Sequence, residues 1–147
     1  MSKKQYDEKQ IIDRGKSFQY AFICAIIVNV IIYVLSDFTK ISFTNGATLL
    51  LNIGLPISTY MLSMIIKNSY DGISTSYEKL NIAALGGCGV ALLIIYLPDI
   101  ITGKKLLIDN SIITDNAGAL LISILTLIVV LTYCIKKYNE KKNEIDE

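Results

Sequence analysis

Along this chain, apolar and polar positions fall into blocks rather than into the short alternations of soluble strands or the one-sided stripes of surface helices. Four runs carry no formal charge: residues 18–35 (FQYAFICAIIVNVIIYVL), 47–66 (ATLLLNIGLPISTYMLSMII), 81–97 (NIAALGGCGVALLIIYL) and 117–135 (AGALLISILTLIVVLTYCI). At about 1.5 Å of helical rise per residue they reach roughly 25–30 Å, close to the roughly 30 Å hydrocarbon core of a bilayer. The pattern predicts an all-α membrane protein with four transmembrane helices. Residues 1–147 form one integral membrane domain, with polar tails at 1–17 and 136–147. The first run is longer than the apolar core of a signal peptide, and Ser36-Asp37-Phe38 after it has no small-residue cleavage character, so it is expected to be a retained span.

The charged residues between the runs set the orientation. With four spans, the N-terminal segment, the link at 67–80 and the C-terminal tail share one side and carry eleven Lys/Arg, against three on the links at 37–46 and 99–116. That asymmetry predicts both termini in the cytoplasm. Tyr20, Tyr33, Tyr96 and Tyr133 lie near the run ends, where amphipathic rings prefer to sit. Asp7 to Lys16 is expected to continue the first helix outward, with Gly15 as a bend. The link at 99–116 pairs Ile100-Ile101 and Ile112-Ile113 with turn residues, which predicts a short hairpin or a surface-lying segment.

Within the runs a few residues depart from plain hydrophobicity. Pro56 follows Asn52 and Gly54, so a kink is expected in the second helix, with Ser58, Thr59 or a neighbouring helix satisfying the carbonyl that proline frees. In the third run Ala83 and Gly87 have the small-xxx-small spacing of a close helix contact, and Gly86 lies beside them. Its partner is expected within the same chain rather than in a second copy. The run should end at Pro98-Asp99.

Composition narrows the chemistry. The chain is 52% hydrophobic, has a mean hydropathy of +0.50 and a net charge of +1, and contains no His. The near-neutral charge argues against nucleic acid as a partner, and the missing His removes the commonest metal ligand and proton shuttle. Abundant Ile, Lys, Asn and Tyr suit an AT-rich bacterial genome. Cys24, Cys88 and Cys134 have no CxxC spacing and lie in or at the edge of apolar runs, so they read as packing residues, with Cys134 alone placed for redox chemistry. No run holds an acidic or basic residue, which argues against a proton-coupled exporter and against carboxylate-based intramembrane proteolysis. Gly86-Gly87-Cys88-Gly89 lacks the Lys-Ser or Lys-Thr of a phosphate loop. No catalytic, cofactor-binding or metal site is expected, and an enzyme is not.

Tyr6-Asp7-Glu8-Lys9-Gln10, then Arg14-Gly15-Lys16, and the second-run exit Ile65-Ile66-Lys67-Asn68-Ser69-Tyr70-Asp71-Gly72 resemble motifs of an uncharacterised family of small four-span membrane proteins of Gram-positive type. The resemblance implies a plasma-membrane protein and no particular activity. Two functional readings follow. The first is a non-enzymatic protein acting by contact, as an accessory, regulatory or immunity-type subunit. Its partner-contact residues would be Asp7, Glu8, Arg14, Lys16, Tyr70 and Asp71, with Asn52, Pro56, Ala83, Gly86 and Gly87 packing the helices. The second is a small oligomeric channel or transporter with Asn29, Asn52, Pro56, Ser58, Thr59 and Ser123 along a polar path. The expected partners are the lipid bilayer, a protein at the cytoplasmic face and, in the second reading, further copies of the chain.

Overall fold

Each apolar run becomes the middle of a longer helix in the computed structural model, which describes residues 8–69, 75–104 and 106–146, without the side chains of 75–79 and 144–146. The helices are α1 (Glu8–Phe38), α2 (Asn45–Ile66), α3 (Thr75–Ile101) and α4 (Asp115–Asp146). All four are long and apolar enough to cross a membrane. Without water in the hydrocarbon region, backbone groups must be satisfied within the segment, and a helix achieves this residue by residue. The 31 residues of α1 and the 32 of α4 reach about 46–48 Å at helical rise, so both outrun a bilayer core by roughly 15 Å.

As expected, α1 continues outward from the first apolar run through Gly15, where a Cβ would meet nothing within 4 Å. Two boundaries differ from the sequence expectation, both in α3. Helix α3 begins at Thr75, inside the expected polar link, and runs past Pro98 to Ile101. Proline disturbs the turn before it, whereas its own carbonyl stays available. Here Pro98 O still accepts from Thr102 N at 3.0 Å and from the Thr102 hydroxyl at 2.9 Å.

Short strands join the helices at the end of the bundle away from the described chain ends. β1 (Ser42–Phe43), β2 (Ile108–Asp109) and β3 (Ile112–Ile113) form a sheet in the order β1-β3-β2. β2 and β3 pair antiparallel, with Asn110 and Ser111 between them at φ 47° and 68°. Two consecutive positive φ values are those of the tight turn whose twist suits a strand pair. β1 and β3 pair parallel, Ser42 with Ile112 and Phe43 with Ile113. Each then passes through a threonine, Thr44 or Thr114, into a helix, so α2 and α4 leave the sheet side by side in the same direction.

From there α1 packs on α2, α2 on α4, and α4 on α3, so the two helices that follow the paired strands form the centre. At the sheet end the central helices nearly touch. Ala47 and Ala119 are fully buried, and a Cβ on Gly118 would lie 3.2 Å from the Ala47 Cα. At the other end Ile65 of α2, Ile82 of α3 and Val129 of α4 form the core cluster, with Met61, Leu62, Leu85, Val130 and Tyr133 packed around it. Large apolar side chains, among them Phe22, Ile27 and Ile31 of α1 and Ile94 and Ile95 of α3, point outward. A water-soluble bundle would turn these inward, whereas in a bilayer they face acyl chains.

Of the small residues expected at the α3–α4 contact, Gly86 faces α4, whereas the Ala83–Gly87 pair does not. Ala83 and Gly87 are exposed, and a Cβ on Gly87 would meet nothing within 4 Å. A Cβ on Gly86 would lie 3.1 Å from Val130, and one on buried Gly89 would collide with the Thr126 hydroxyl while lying 3.3 Å from the Ser123 carbonyl. The partner is α4 of the same chain. The reason is rotation: Gly86 and Gly89 are three apart and share a side of the helix, and Ile82 precedes them on that side.

Candidate functional site

The polar groups of the bundle concentrate along the α1–α2 contact and at the α2 end away from the sheet. The contact face of α1 contains Ser17, Ala21 and Val28, which are buried, and half-buried Cys24. Ser17 Oγ lies 2.8 Å from Ser63 Oγ and also donates to Asp13 O at 2.8 Å. Midway along, Thr59 Oγ1 donates to Leu55 O at 2.9 Å and lies 3.5 Å from Cys24 Sγ. Nearer the sheet, Asn52 Nδ2 donates to Asn29 Oδ1 at 3.4 Å, and Asn29 Nδ2 to Ala25 O at 2.9 Å. Two polar atoms in α2, Asn52 Oδ1 and Ser58 Oγ, are closed off from solvent without a hydrogen-bond partner. Pro56 lies inside α2 between them. The carbonyl it frees is that of Asn52, and neither Ser58 nor Thr59 reaches it: Thr59 bonds Leu55 O and Cys24, and Ser58 bonds nothing.

The far end of α2 closes in a six-to-one turn. Lys67 is the cap, Asn68 sits in the left-handed region at φ 56°, Asn68 N donates to Ile65 O at 3.3 Å, and Ser69 N donates to Met64 O at 3.1 Å. This terminal motif satisfies carbonyls that a helix end would leave bare, and Asn is the usual substitute for Gly at its left-handed position. Cations from three helices gather on it. Arg14 Nε of α1 donates to Ser69 O at 2.8 Å, Lys136 Nζ of α4 donates to Ile65 O, and Lys67 Nζ sits 4.3 Å from the Tyr20 ring centroid. Positive charge at the negative end of the helix dipole is favourable. Lys67 differs from its neighbours because its Nζ is closed off from solvent without an oxygen acceptor.

At the sheet end one carboxylate ties the central helices together. Asp115, in the first turn of α4, accepts from Ala47 N of α2 at 3.0 Å and from the Thr44 hydroxyl. Thr44 is the N-cap of α2 and itself accepts from Ala47 N at 3.2 Å. A Cβ on Gly46 would stand 2.5–2.7 Å from the Asp115 carboxylate, so only glycine leaves the carboxylate its place.

Of the residues expected to contact a partner, Glu8 and Lys16 are exposed on α1, and Arg14 is half-buried against Ser69. Asp7, Tyr70 and Asp71 lie outside the described residues. Of the polar-path residues, Asn29, Asn52 and Thr59 meet at the α1–α2 contact, whereas Ser123 is buried in α4 and donates to its own helix, to Ala119 O at 2.6 Å. Cys88 and Cys134 are exposed on the outer surface and Cys24 is half-buried, all three as free thiols. Sequence reasoning missed the Ser17–Ser63 pair, the Tyr20–Lys67 contact and the Asp115 cap. The last had a signal in Thr44-Asn45 and Thr114-Asp115, each a capping pair set just before an apolar run.

Four helices of membrane-crossing length, apolar side chains outward and charges at the ends describe a multi-pass membrane protein. No family model matches the chain, and no curated protein or solved structure is found to match it.

Proposed function

We propose that this is a bacterial plasma-membrane protein that works by contact rather than by catalysis, as an accessory, regulatory or immunity-type subunit. In this reading the chain ends and the cationic end of α2 lie in the cytoplasm, and the three-stranded sheet with its tight turn faces outside. The positive-inside asymmetry supports that orientation. The similarity of the N-terminal and second-run-exit motifs to small Gram-positive-type membrane proteins supports the same membrane. The observation that carries the contact reading is that, Ser58 and the Asn52 oxygen apart, the described hydroxyls and amides between the helices bond one another or their own backbone: Ser17 with Ser63, Thr59 with Leu55 and Cys24, Asn29 with Asn52 and Ala25, Ser123 with Ala119. Polar groups used this way hold helices together, each by a modest amount. The exposed charges of α1, Glu8 and Lys16, then offer the surface for a partner.

The channel or transporter reading draws on one observation, the unpartnered Asn52 Oδ1 and Ser58 Oγ inside α2. Purified protein in liposomes, tested for ion and small-solute flux beside photo-crosslinking from position 8 or 16 in cells, separates the two. Contact predicts no flux and one discrete crosslinked membrane or cytosolic protein. A flux that Asn29→Leu and Asn52→Leu abolish in folded protein refutes it.

A further inference from the structure

Among the described residues, Lys67 is the cation at the α2 end whose place in the fold leaves its chemistry incomplete. Arg14 and Lys136 each donate to a carbonyl of the terminal turn, at Ser69 and Ile65. Lys137, also set over a tyrosine, lies 6.0 Å from the Tyr133 ring and pairs with Glu140 at 3.3 Å. Lys67 has the Tyr20 ring at 4.3 Å and, among the described residues, no oxygen partner. An ammonium group removed from water without an acceptor is costly, and an aromatic face offsets only part of that cost. The lysine stem loses no hydrogen bond when it rotates outward past Tyr20, a residue 48% exposed that marks the level where the apolar run of α1 begins. Outward of that level the backbone continues as charged helix, with exposed Lys16 one turn before Tyr20 on the same side of α1. An amine that reaches a bilayer surface beside a tyrosine, among further cations, meets the phosphates of the headgroup layer.

From this geometry we infer that the α1–α2 contact at Tyr20 and Lys67 is a binding site for the phosphate of an anionic phospholipid. Lys67 swings from the ring to donate to a phosphate oxygen, and Lys16 adds charge beside it. The acyl chains then lie along the outward apolar side chains of α1, among them Phe22 and Ile27. Arg14 and Lys136 stay on the terminal turn and supply field rather than contacts. The inference depends on membrane placement alone and stands or falls separately from the contact reading.

The full chain in a neutral maltoside detergent is titrated with phosphatidylglycerol, phosphatidylcholine or inorganic phosphate, with retained lipid counted by native mass spectrometry and the thermal midpoint followed in parallel. Phosphatidylglycerol is expected to bind more tightly than phosphatidylcholine and to raise the midpoint. Lys67→Met should weaken phosphatidylglycerol by about fivefold, the effect of one basic residue at an anionic surface. Lys142→Met, a charge loss on the exposed tail of α4, should change nothing, and Lys67→Arg should restore binding. Equal retention of the two lipids by the unaltered chain overturns the inference without recourse to any variant. Unchanged phosphatidylglycerol binding in Lys67→Met overturns it too, and full competition by inorganic phosphate replaces it with a free-anion site.

Discussion

Adding one methyl group at Gly89 and at Gly87 tests whether the α3–α4 contact is as close as described. The two glycines share a helix and lie two residues apart, so alanine brings the same intrinsic helix gain to each, about 0.8–1 kcal/mol. Their surroundings differ. At Gly87 the new Cβ enters open space, whereas at Gly89 it overlaps the Thr126 hydroxyl and comes within 3.3 Å of the Ser123 carbonyl. Thr126 cannot give way freely, because its side chain is buried and its hydroxyl donates to Ser123 O at 2.9 Å. Overpacking of this kind costs about 1–3 kcal/mol. Gly87→Ala should therefore be neutral or stabilising by up to about 1 kcal/mol, and Gly89→Ala should lose up to about 2 kcal/mol net. Thr126→Ala removes the colliding atom, so the double variant should recover most of the Gly89→Ala loss, a coupling of about 0.5–3 kcal/mol. The free energies come from SDS titration of the folded fraction in bicelles. Equal responses at the two glycines, or no rescue by Thr126→Ala, would refute the helix rotation that places Gly89 rather than Gly87 against α4.

Two further changes probe the two ends of the bundle. Asp115→Ala removes the acceptor shared by Ala47 N and the Thr44 hydroxyl and should cost about 0.5–2 kcal/mol, as for loss of a helix cap. Asp109→Ala, on the exposed β2 strand, should stay within about 0.5 kcal/mol, and the same titration reads the difference. For Ser17 and Ser63, a double-mutant cycle with alanine should give a coupling of about 0.6 kcal/mol, the average for hydrogen bonds between membrane helices. A value of zero would mean that Ser17 is held by Asp13 O alone.

The site was legible only where its chemistry follows from local residue type. Pro56 and Asn52 stand out in any reading of the second run, and the Lys and Arg that crowd the α2 end are plain from the charge pattern. Which of those cations would be left without an oxygen was not legible. Arg14, Lys67 and Lys136 come from three separate segments, and only the crossing of α1 and α4 over the end of α2 assigns carbonyls to two of them and an aromatic ring to the third.

For the fold the division follows the range of the forces involved. The number of helices and their central residues are written in the sequence, because transfer of an apolar segment into lipid depends on its own length and composition. The caps at Thr44 and Lys67 are similarly local. Side-by-side order is another matter. In lipid all outward apolar faces are equivalent, so hydropathy cannot choose neighbours. Close backbone approach at Gly86, Gly89 and Gly118, together with the parallel pairing of Ser42 and Phe43 with Ile112 and Ile113, decides that α2 and α4 form the centre. Those contacts join residues far apart in the chain, and only the assembled bundle brings them within reach.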